Sequence, residues 1–431
     1  MVRVVELRKA AAIGTKCTVS GWVKSMRSQK THAFLELNDG SSQSSLQVIL
    51  SPLQSAQMLP SGTCVEVTGS VVKSKGGNQE TEMSCDDIRV IGPCSDAAYP
   101  LQKKAHTLEF LREVPHLRSR SNTIGGMLRI RNAAMMGLHG FYQNEGFVLV
   151  STPILTSSDC EGAGEAFEVS KSAEFFGGKT AFLTVSGQLQ AEAFALSHSK
   201  VYTFGPTFRA ENSQTSRHLA EFWMCEPEMC FVGLPELIEN AEQAIKCAAR
   251  RVFESCSEDV EFFEKRYGLQ KVDLQAPWKR ISYDDAIVAL QKSGTSFEKE
   301  VKFGMDLGSE HEKWLAEVYA DQQPIFLFGF PRELKPFYVK ERDSFDLLVP
   351  KIGELIGGSV REERFDILRM ELEARKMPLQ HYGWYLDLRK YGSAPHGGYG
   401  IGFERLVRMV TGLENIRDAV PIPRVPNCLP M

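Results

Sequence analysis

Five short stretches with the alternation of β-strands follow one another within residues 17–92, and they constrain the fold more than any other feature. Turn sequences such as Asn-Asp-Gly, Ser-Gly and Lys-Gly-Gly-Asn separate them. Five strands packed into so short a segment suit a small closed barrel, because closure leaves no unpaired edge strand. A piece of a β-sandwich is the alternative that the pattern leaves open.

Beyond this segment the pattern changes twice. Residues 94–120 contain prolines and no sustained periodicity, which is typical of a linker. From residue 121 onward, apolar residues at helical spacing alternate with strand-like runs such as PIFLFGFP, PFYVKE and FDLLVP, followed by a predicted helix in SVREERFDILRMELEARK. We therefore predict an α+β chain, with a five-stranded OB-fold barrel over 1–93, a linker over 94–120 and a larger domain over 121–431.

Length and composition exclude several classes of protein. A chain of 431 residues is too long for a single core, and its net charge of −4 does not by itself indicate nucleic-acid binding. The ten cysteines include no Cys-x-x-Cys pair, so no zinc site is predicted. No apolar run reaches the roughly 18–20 residues of a membrane span. The lack of a secretory signal predicts an intracellular protein, cytoplasmic or in the mitochondrial matrix if the chain is a processed organellar form.

Three segments of the larger domain carry residues suited to a nucleoside triphosphate. The first, GFVLVSTPIL, is a strand interrupted by Pro153. The second, TFRAENSQTSRHLAEF, predicts two antiparallel strands and a loop, with Arg209 and Glu211 on the same face of the incoming strand. The third, HGGYGIGFERLVRMVTG, is a glycine-rich strand that runs into a helix carrying Arg405. Guanidinium groups bind phosphate in a fork, and glycines let a ligand approach the backbone.

In this order the three segments resemble the three motifs of class II aminoacyl-tRNA synthetases, and the resemblance covers nearly the whole chain. A barrel followed by such a domain is similar to the subgroup that handles aspartate, asparagine and lysine. The strings most similar to asparaginyl-tRNA synthetases are TFGPTFRAENSQTSRHLAEFWMCEPE, EGAGEAF, FLTVSGQLQAE, GELIGGSVREER and IRDAVPIPRVP. The resemblance implies that residues 121–431 form a catalytic domain with a mostly antiparallel sheet flanked by helices.

The same resemblance implies an activity. ATP and L-asparagine would form asparaginyl-adenylate and pyrophosphate, and the amino acid would pass to the 3′ end of tRNA(Asn) with release of AMP. An aspartyl enzyme, whether discriminating or non-discriminating, is one alternative, but Ala191 stands where the aspartate enzymes carry a lysine. A non-catalytic, synthetase-like RNA-binding protein is the other. The presence of both motif arginines and of two candidate metal carboxylates argues against it.

Roles around ATP follow from the resemblance. Arg209 would bind the α-phosphate and stabilise the transition state, and Arg405 would bind the γ-phosphate. Phe222 would stack on adenine unless it belongs to the core. Asp346 and Glu354 would hold Mg²⁺, which prefers one or two carboxylates together with phosphate oxygens. The other residues expected at ATP are Glu211, His218, Glu221, Glu354 and Gly402.

The amino-acid pocket is implied in the same way. Glu161 and Gln188 would hold the α-ammonium group, and Arg361 would meet the side-chain carbonyl. Either Glu226 or Glu228 would accept a hydrogen bond from the amide NH₂, and the sequence does not decide between them. Specificity of this kind depends on matching buried polar groups, because a missing partner is costly.

The resemblance also implies two interfaces. Phe34, Gln47, Arg27 and Lys30 would contact the tRNA anticodon, with Phe34 stacking on a base unless it packs in the core. Pro153 would lie at a homodimer interface.

Two departures from the family are visible. The segment 339–345 is shorter than the usual hairpin, so the local geometry there is expected to differ. Lys351 stands in place of the glycine of a Pro-Gly-Ile-Gly-Glu turn, where a lysine would either add a phosphate contact or strain the turn.

Overall fold

The computed structural model describes residues 2–9, 13–52, 54, 58–76, 79–95, 99–157, 166–213 and 215–431. The chain divides into two compact units. The first comprises residues 1–129 and 257–263, and the second comprises residues 130–256 and 264–431. Within the described residues, every helix is too short or too polar to span a bilayer.

The first unit contains the predicted barrel. Its strands are β1 (Lys16–Ser28), β2 (Ala33–Asn38), β3 (Leu46–Leu50), β4 (Cys64–Lys73) and β5 (Thr81–Gly92), preceded by helix α1 (Val4–Lys9). They close in the order β1-β2-β3-β5-β4, so the sandwich alternative is wrong. Val19, Leu35 and Val48 point inward with the other alternate apolar residues and form the core, as the period of two requires.

An eight-stranded sheet forms the centre of the second unit. Its strands are β6 (Val148–Leu149), β9 (Lys200–Phe208), β10 (Glu221–Cys230), β11 (Lys279–Ser282), β12 (Ile325–Phe328), β13 (Val339–Val349), β14 (Gly353–Arg361) and β15 (His396–Gly402). The order is β11-β12-β13-β14-β15-β10-β9-β6. Among these described strands, all neighbours pair antiparallel except β6 with β9 and β11 with β12, which confirms the predicted sheet. A separate pair is formed by β7 (Leu155–Thr156) and β8 (Phe182–Leu183).

The remaining helices are α2 (Leu108–Glu113), α3 (Asn122–Asn144), α4 (Ser172–Phe175), α5 (Gln188–His198), α6 (Leu234–Ser255), α7 (Ser257–Tyr267), α8 (Tyr283–Lys292), α9 (Ser309–Trp314), α10 (Phe365–Ala374), α11 (Leu379–Lys390) and α12 (Phe403–Met409). Helix α6 begins with Pro235 in its first turn, where a missing amide costs nothing. Its buried face, which includes Leu237 and Ile245, packs on β14 and β15. That packing fixes the strands that carry the site.

Two element boundaries differ from the sequence prediction. PFYVKE and FDLLVP belong to the single strand β13, whose pairing with β14 shifts register between Val339 and Ser344. The predicted helix over SVREERFDILRMELEARK begins only at Phe365, because Ser359 and Arg361 still pair with β13. The sheet ladder therefore overrides the helical spacing at the start of that segment.

Candidate active site

Arg209 follows β9 directly and lies over an aromatic ring. Its amide donates to the carbonyl of Ala220 at 3.0 Å, so the pairing of the two strands continues one step beyond β9. Its guanidinium carbon lies 5.4 Å from the centre of the Phe222 ring, which is within cation–π range. The predicted pair of antiparallel strands joined by a loop is confirmed.

Phe222 has two environments. It is half-buried, and it packs on an apolar cluster that includes Leu219, Ile416 and Val420. Its ring also lies beside the Arg209 guanidinium. Phe222 therefore packs on the core and also contacts Arg209, and its stacking on adenine stays a prediction. Glu221, the first residue of β10, is exposed.

Glu211 lies in the loop, so the prediction that it shares a strand face with Arg209 is wrong. Strand β9 ends at Phe208, because the chain beyond Arg209 no longer pairs with β10. In the loop, the Glu211 carboxylate lies 3.7 Å from Nε2 of His218. Nδ1 of His218 forms a hydrogen bond of 2.6 Å with the hydroxyl of Thr215. These contacts hold the ring of His218 in place within the loop.

Arg405 projects from α12 towards the turn that starts β14. Its Nη1 donates to the carbonyl oxygen of Glu354 and lies 4.0 Å from the Glu354 carboxylate. Gly402 caps the N-terminus of α12, and the nearest atoms to a Cβ placed there would be those of the flexible Arg405 side chain. The structure therefore places Gly402, Arg405 and Glu354 together.

Asp346 on β13 and Glu354 on β14 both have a carboxylate oxygen close to Gly357. A Cβ on Gly357 would lie 2.9 Å from Oε1 of Glu354 and 3.6 Å from Oδ1 of Asp346, so the space between the carboxylates depends on glycine. Lys335 donates to both oxygens of Asp346 at 2.9 Å. Burial raises the pKa of Asp346 to about 6; Lys335 opposes this rise and the Glu354 charge adds to it.

This carboxylate pair fits Mg²⁺ only with help from a nucleotide. Nowhere in the described parts of the chain do three or more His, Cys, Asp or Glu side chains cluster as metal ligands. Mg²⁺ on one or two carboxylates completes its octahedron with phosphate oxygens and water. Asp346 and Glu354 suit that mode.

Glu312, on α9, is a further acid that interacts electrostatically with Asp346 and Glu354 but does not form a metal-ligand cluster with them. Burial raises its pKa to about 7, and the charges of Glu354 and Asp346 add to the rise while Arg405 and Arg217 oppose it. Its Oε2 lies 2.8 Å from where a Cβ on Gly353 would be. No sequence signal identified it, because it lies on a short helix in the long segment between the second and third motifs.

Glu226 and Glu228 lie on β10 and are 4% and 0% exposed. The Glu226 carboxylate accepts from the amide of Gly187 at 2.9 Å and from the hydroxyl of Ser186, at the start of α5. Burial raises the pKa of Glu226, although both hydrogen bonds oppose that rise. The two hydrogen bonds from Ser186 and Gly187 therefore fix the position of the Glu226 carboxylate.

Glu228 forms a forked ion pair with Arg361 of β14. Nη2 of Arg361 donates to Oε1 at 2.5 Å, and Nε donates to Oε2 at 3.3 Å. Burial raises the pKa of Glu228, and the Arg361 charge opposes the rise. A Cβ on Gly398 would lie 2.3 Å from the Glu228 carboxylate. The Glu228 carboxylate thus occupies the space that any side chain at position 398 would fill, so this position requires glycine.

At three glycines of β15, a neighbouring side chain occupies the space that a Cβ would need. Leu237 lies beside Gly397, Glu228 beside Gly398 and Met224 beside Gly400. The approach of a ligand to this strand stays a prediction. Glycine is needed here for packing between strands.

Glu192 is the centre of a buried network that sequence reasoning missed. Its Oε2 accepts from Nη2 of Arg389 at 2.8 Å and from the hydroxyl of Tyr385 at 2.7 Å, and it lies 3.1 Å from Nε2 of His396. Burial alone would raise the pKa of Glu192, but Arg389, His396 and Arg361 outweigh it and lower the pKa. These partners are distant in sequence and form no motif.

Gln188 opens α5 and is oriented by this network, because its Nε2 donates to Oε1 of Glu192 at 3.1 Å. Ala191 is fully buried with Ala195 and Val201 in an apolar cluster. Glu161 belongs to the segment 158–165, outside the described residues.

The residues predicted for the anticodon lie on the outside of the barrel. Phe34 alternates with Leu35, which fills the core, so the core alternative for Phe34 is wrong. The guanidinium carbon of Arg27 lies 4.9 Å from the centre of the Phe34 ring, and its Nη2 donates to Gln47 at 3.3 Å. Lys30 is exposed in the loop between β1 and β2.

Pro153 is exposed between β6 and β7 and lies among apolar residues. Leu149, Ile154 and Leu155 are each more than two-fifths exposed, and β6 is an edge strand of the large sheet. Exposed apolar patches of this kind are typical of protein–protein contact.

Comparisons with known proteins agree on both units. Residues 107–426 match the family described as tRNA synthetases class II (D, K and N), and residues 17–91 match an OB-fold nucleic acid binding domain. The chain is 46% identical over 456 residues to the asparagine–tRNA ligase of Thermosynechococcus vestitus, covering 98% of each protein. It is 45% identical over 452 residues to the "Probable asparagine--tRNA ligase, mitochondrial" of Dictyostelium discoideum, covering 99% of this chain and 96% of that protein.

One solved structure is similar over nearly the whole length of the chain. The asparaginyl-tRNA synthetase of Pyrococcus horikoshii complexed with asparaginyl-adenylate superposes with a TM-score of 0.90 at 31% identity, covering 99% of each chain.

Proposed function

Since this chain belongs to the class II tRNA synthetases of the aspartate, lysine and asparagine group, we propose that it acts as an asparagine–tRNA ligase. It activates L-asparagine with ATP to asparaginyl-adenylate and pyrophosphate, then transfers the asparaginyl group to the 3′-terminal ribose of tRNA and releases AMP. The geometric observation that carries the proposal is the buried fork of Glu228 and Arg361, which offers one acceptor and one donor to a neutral amide.

Activation needs no nucleophile from the protein. A carboxylate oxygen of asparagine attacks the α-phosphorus of ATP, the bond from that phosphorus to the bridging oxygen breaks, and pyrophosphate leaves. Arg209 would stabilise the negative charge that builds on the α-phosphate, held in place by its contact with Phe222. Arg405 would bind the γ-phosphate. Catalysis is then mostly positioning and charge neutralisation.

Asp346 and Glu354 would hold Mg²⁺ between them and the phosphates. When bound, the ion would neutralise charge on the β- and γ-phosphates. The two hydrogen bonds from Lys335 fix the orientation of Asp346. Glu211, His218 and Glu221 would lie around the nucleotide, with Gly402 at the start of α12.

Geometry favours Glu228 over Glu226 as the residue that recognises the amide. Arg361 would donate to the side-chain carbonyl oxygen, and Glu228 would accept from the NH₂ group. Glu226 is bonded at the start of α5, beside Gln188, and suits the α-ammonium group together with Glu161. An aspartate side chain would bring a second negative charge against Glu228, which is costly in a buried site.

Partners other than the substrates follow the same reasoning. The anticodon of tRNA would contact Phe34, Arg27, Gln47 and Lys30 on the barrel surface, where an aromatic ring can stack on a base. A homodimer would cover the apolar patch around Pro153. Sedimentation of a Leu149→Asp variant tests this, because a charge on that patch should shift the protein to monomers. A cytoplasmic or mitochondrial-matrix location stays a prediction.

ATP–pyrophosphate exchange with each amino acid in turn tests the proposal. Asparagine should drive exchange and aspartate should not, and Arg209→Ala should abolish it while leaving the fold intact. Exchange driven only by aspartate would establish the aspartyl alternative. Absence of both exchange and ATP binding would establish a non-catalytic protein.

A further inference from the structure

A cavity of about 280 Å³ lies in the second unit, and none of the residues proposed above to bind ATP, Mg²⁺ or asparagine lines it. Its wall includes the turn between β13 and β14, the end of α12, the loop after β9 and the start of α9. The charged residues of the wall are four cations, Arg217, Lys313, Lys351 and Arg408, and two acids, Glu317 and Glu414. Four positive charges against two negative charges leave the lining with a formal charge of +2.

Arg408 is a buried cation in this wall. It is 4% exposed, its Nε donates to the carbonyl of Leu413 at 3.0 Å, and its Nη2 donates to the carbonyl of Lys351 at 3.4 Å. Among the described residues its Nη1 has no hydrogen-bond acceptor. Burial, with the like charges of Arg217 and Arg405, lowers the pKa of Arg408 to about 10. A buried guanidinium in this state attracts an anion.

Lys351 adds a cation to the cavity wall, although its backbone adopts a strained conformation. Its φ is +64°, a left-handed conformation that glycine adopts at lower cost. Its amide donates to the Glu317 carboxylate at 3.1 Å, which holds the turn in this form. From the sequence, a lysine at this position is predicted either to add a phosphate contact or to strain the turn. The strained conformation is present, and it places an exposed lysine in the cavity wall.

Arg217 connects the cavity with the neighbourhood of the catalytic carboxylates. Its Nη1 donates to the hydroxyl of Ser309 at 2.6 Å, and both residues line the cavity. The same Nη1 lies 3.8 Å from where a Cβ on Gly353 would be, and Oε2 of Glu312 lies 2.8 Å from that point. The cavity therefore adjoins the place where the β- and γ-phosphates of ATP are proposed to bind.

We propose that this cavity is a second anion site that binds an oligophosphate, with inorganic pyrophosphate as its ligand. Cations on four separate elements suit a ligand with several charged oxygens at a distance from one another, whereas one carboxylate would reach only one or two of them. The identity of pyrophosphate as the ligand rests on the proposed function, which releases it close by. Anion binding itself rests on the cavity wall alone.

Calorimetric titration of the full chain with pyrophosphate, without Mg²⁺, tests this site. The titration is done at pH 8, above the raised pKa values of Asp346 and Glu312, so that these carboxylates and Glu354 repel the ligand from the catalytic centre when no metal is present. Arg408→Gln should weaken pyrophosphate binding about tenfold or more, because it removes a buried charged donor. Lys351→Gly should weaken it about two- to fivefold, because an exposed charge contributes less. Lys376→Gly is the matched control, since Lys376 is also an exposed lysine at positive φ but lies outside the cavity.

The possible results of the titrations either support or refute the anion site. If the wild-type chain does not bind pyrophosphate at millimolar concentration, or if Arg408→Gln and Lys351→Gly bind it as Lys376→Gly does, the site does not exist. Lys351→Gly decides the question if Arg408→Gln fails to fold, because glycine relieves the turn. Tighter binding of pyrophosphate than of tripolyphosphate supports the reaction product as the source, and the reverse order supports oligophosphate from solution. Exchange with asparagine is measured separately, so either proposal can fail alone.

Discussion

Two buried carboxylates of the second unit, those of Glu192 and Glu228, are kept close together by a guanidinium group that contacts both. Glu192 and Glu228 both face Arg361, at 3.9 Å and 2.5 Å from its nitrogens. Arg389 takes the other side of Glu192 at 2.8 Å. Removing one member of such a buried set leaves an uncompensated charge, so the positions depend on one another.

The first prediction concerns amide recognition. Glu228→Gln should lower the asparagine-dependent exchange rate about a hundredfold or more, because a glutamine NH₂ would face the substrate NH₂. The preference for asparagine over aspartate should also fall, because the substitution removes the Glu228 charge that repels an aspartate side chain. Glu226→Gln is the control and should weaken asparagine binding while keeping the preference. An unchanged ratio of asparagine to aspartate exchange in Glu228→Gln would refute the assignment.

The second prediction concerns pH. Burial raises the pKa of Glu312 to about 7, so the folded chain keeps its proton while the unfolded chain loses it as pH rises from about 4.5. The free energy of unfolding therefore falls between pH 4.5 and 7 on account of this group. Glu312→Gln should be more stable than the wild type at pH 8 by about 1–3 kcal/mol and equally stable at pH 4.5. Urea unfolding without nucleotide or Mg²⁺ measures both, and an equal gain at the two pH values would contradict the assignment.

At the scale of elements, close contact between strands explains glycines that sequence reasoning gave to a ligand. β15 lies between β10 and β14, and its glycines face side chains from β10 and α6. A glycine-rich strand looks the same in sequence whether a ligand or a neighbouring side chain fills the space. Only the pairing of Glu228 with Gly398 across β10 and β15 distinguishes the two.

The third prediction follows from that contact. Gly398→Ala should destabilise the chain by about 1–3 kcal/mol or more, because its Cβ would overlap Glu228 and the carbonyl of Pro227. It should also raise the KM for asparagine by displacing Glu228. Gly205→Ala, on β9, is the matched control, since nothing lies within 4 Å of its Cβ position. Equal melting temperatures of the two variants would show that the strands can separate at no cost.

Local patterns predicted the elements whose own residues decide them. The barrel strands and α6 follow their apolar periodicity, and Arg209 and Arg405 occur within recognisable motifs. The start of α10 could not be predicted, because pairing with β13 keeps Ser359 and Arg361 in a strand. The network of Glu192 was invisible as well, since Arg389 lies 197 residues away and neither residue has a local signature.

At the scale of the whole molecule, the two units divide the proposed reaction. Activation of asparagine would use residues of the second unit, and recognition of the anticodon would use the barrel surface of the first. Effects on the two partial reactions should therefore separate, because a tRNA contact on the barrel plays no part in adenylate formation.

The fourth prediction tests this separation. Phe34→Ala should lower kcat/KM for tRNA aminoacylation by about 5- to 150-fold, the loss expected for one stacked base, and leave ATP–pyrophosphate exchange unchanged. Val90→Ala is the control, since Val90 is an apolar residue of the same barrel that is 45% exposed. Aminoacylation by Phe34→Ala at the wild-type rate would remove Phe34 from the tRNA interface.

The central place of β15 in the sheet has a consequence for biosynthesis. β15 follows every other strand of the large sheet along the chain, yet it separates β14 from β10. While the ribosome extends the chain, β14 and β10 each have one edge without its partner strand until His396–Gly402 has been synthesised. Open strand edges invite pairing with other chains, and contacts distant in sequence form slowly. Nascent chains should therefore depend on chaperones until the middle of the sheet is filled, late in translation.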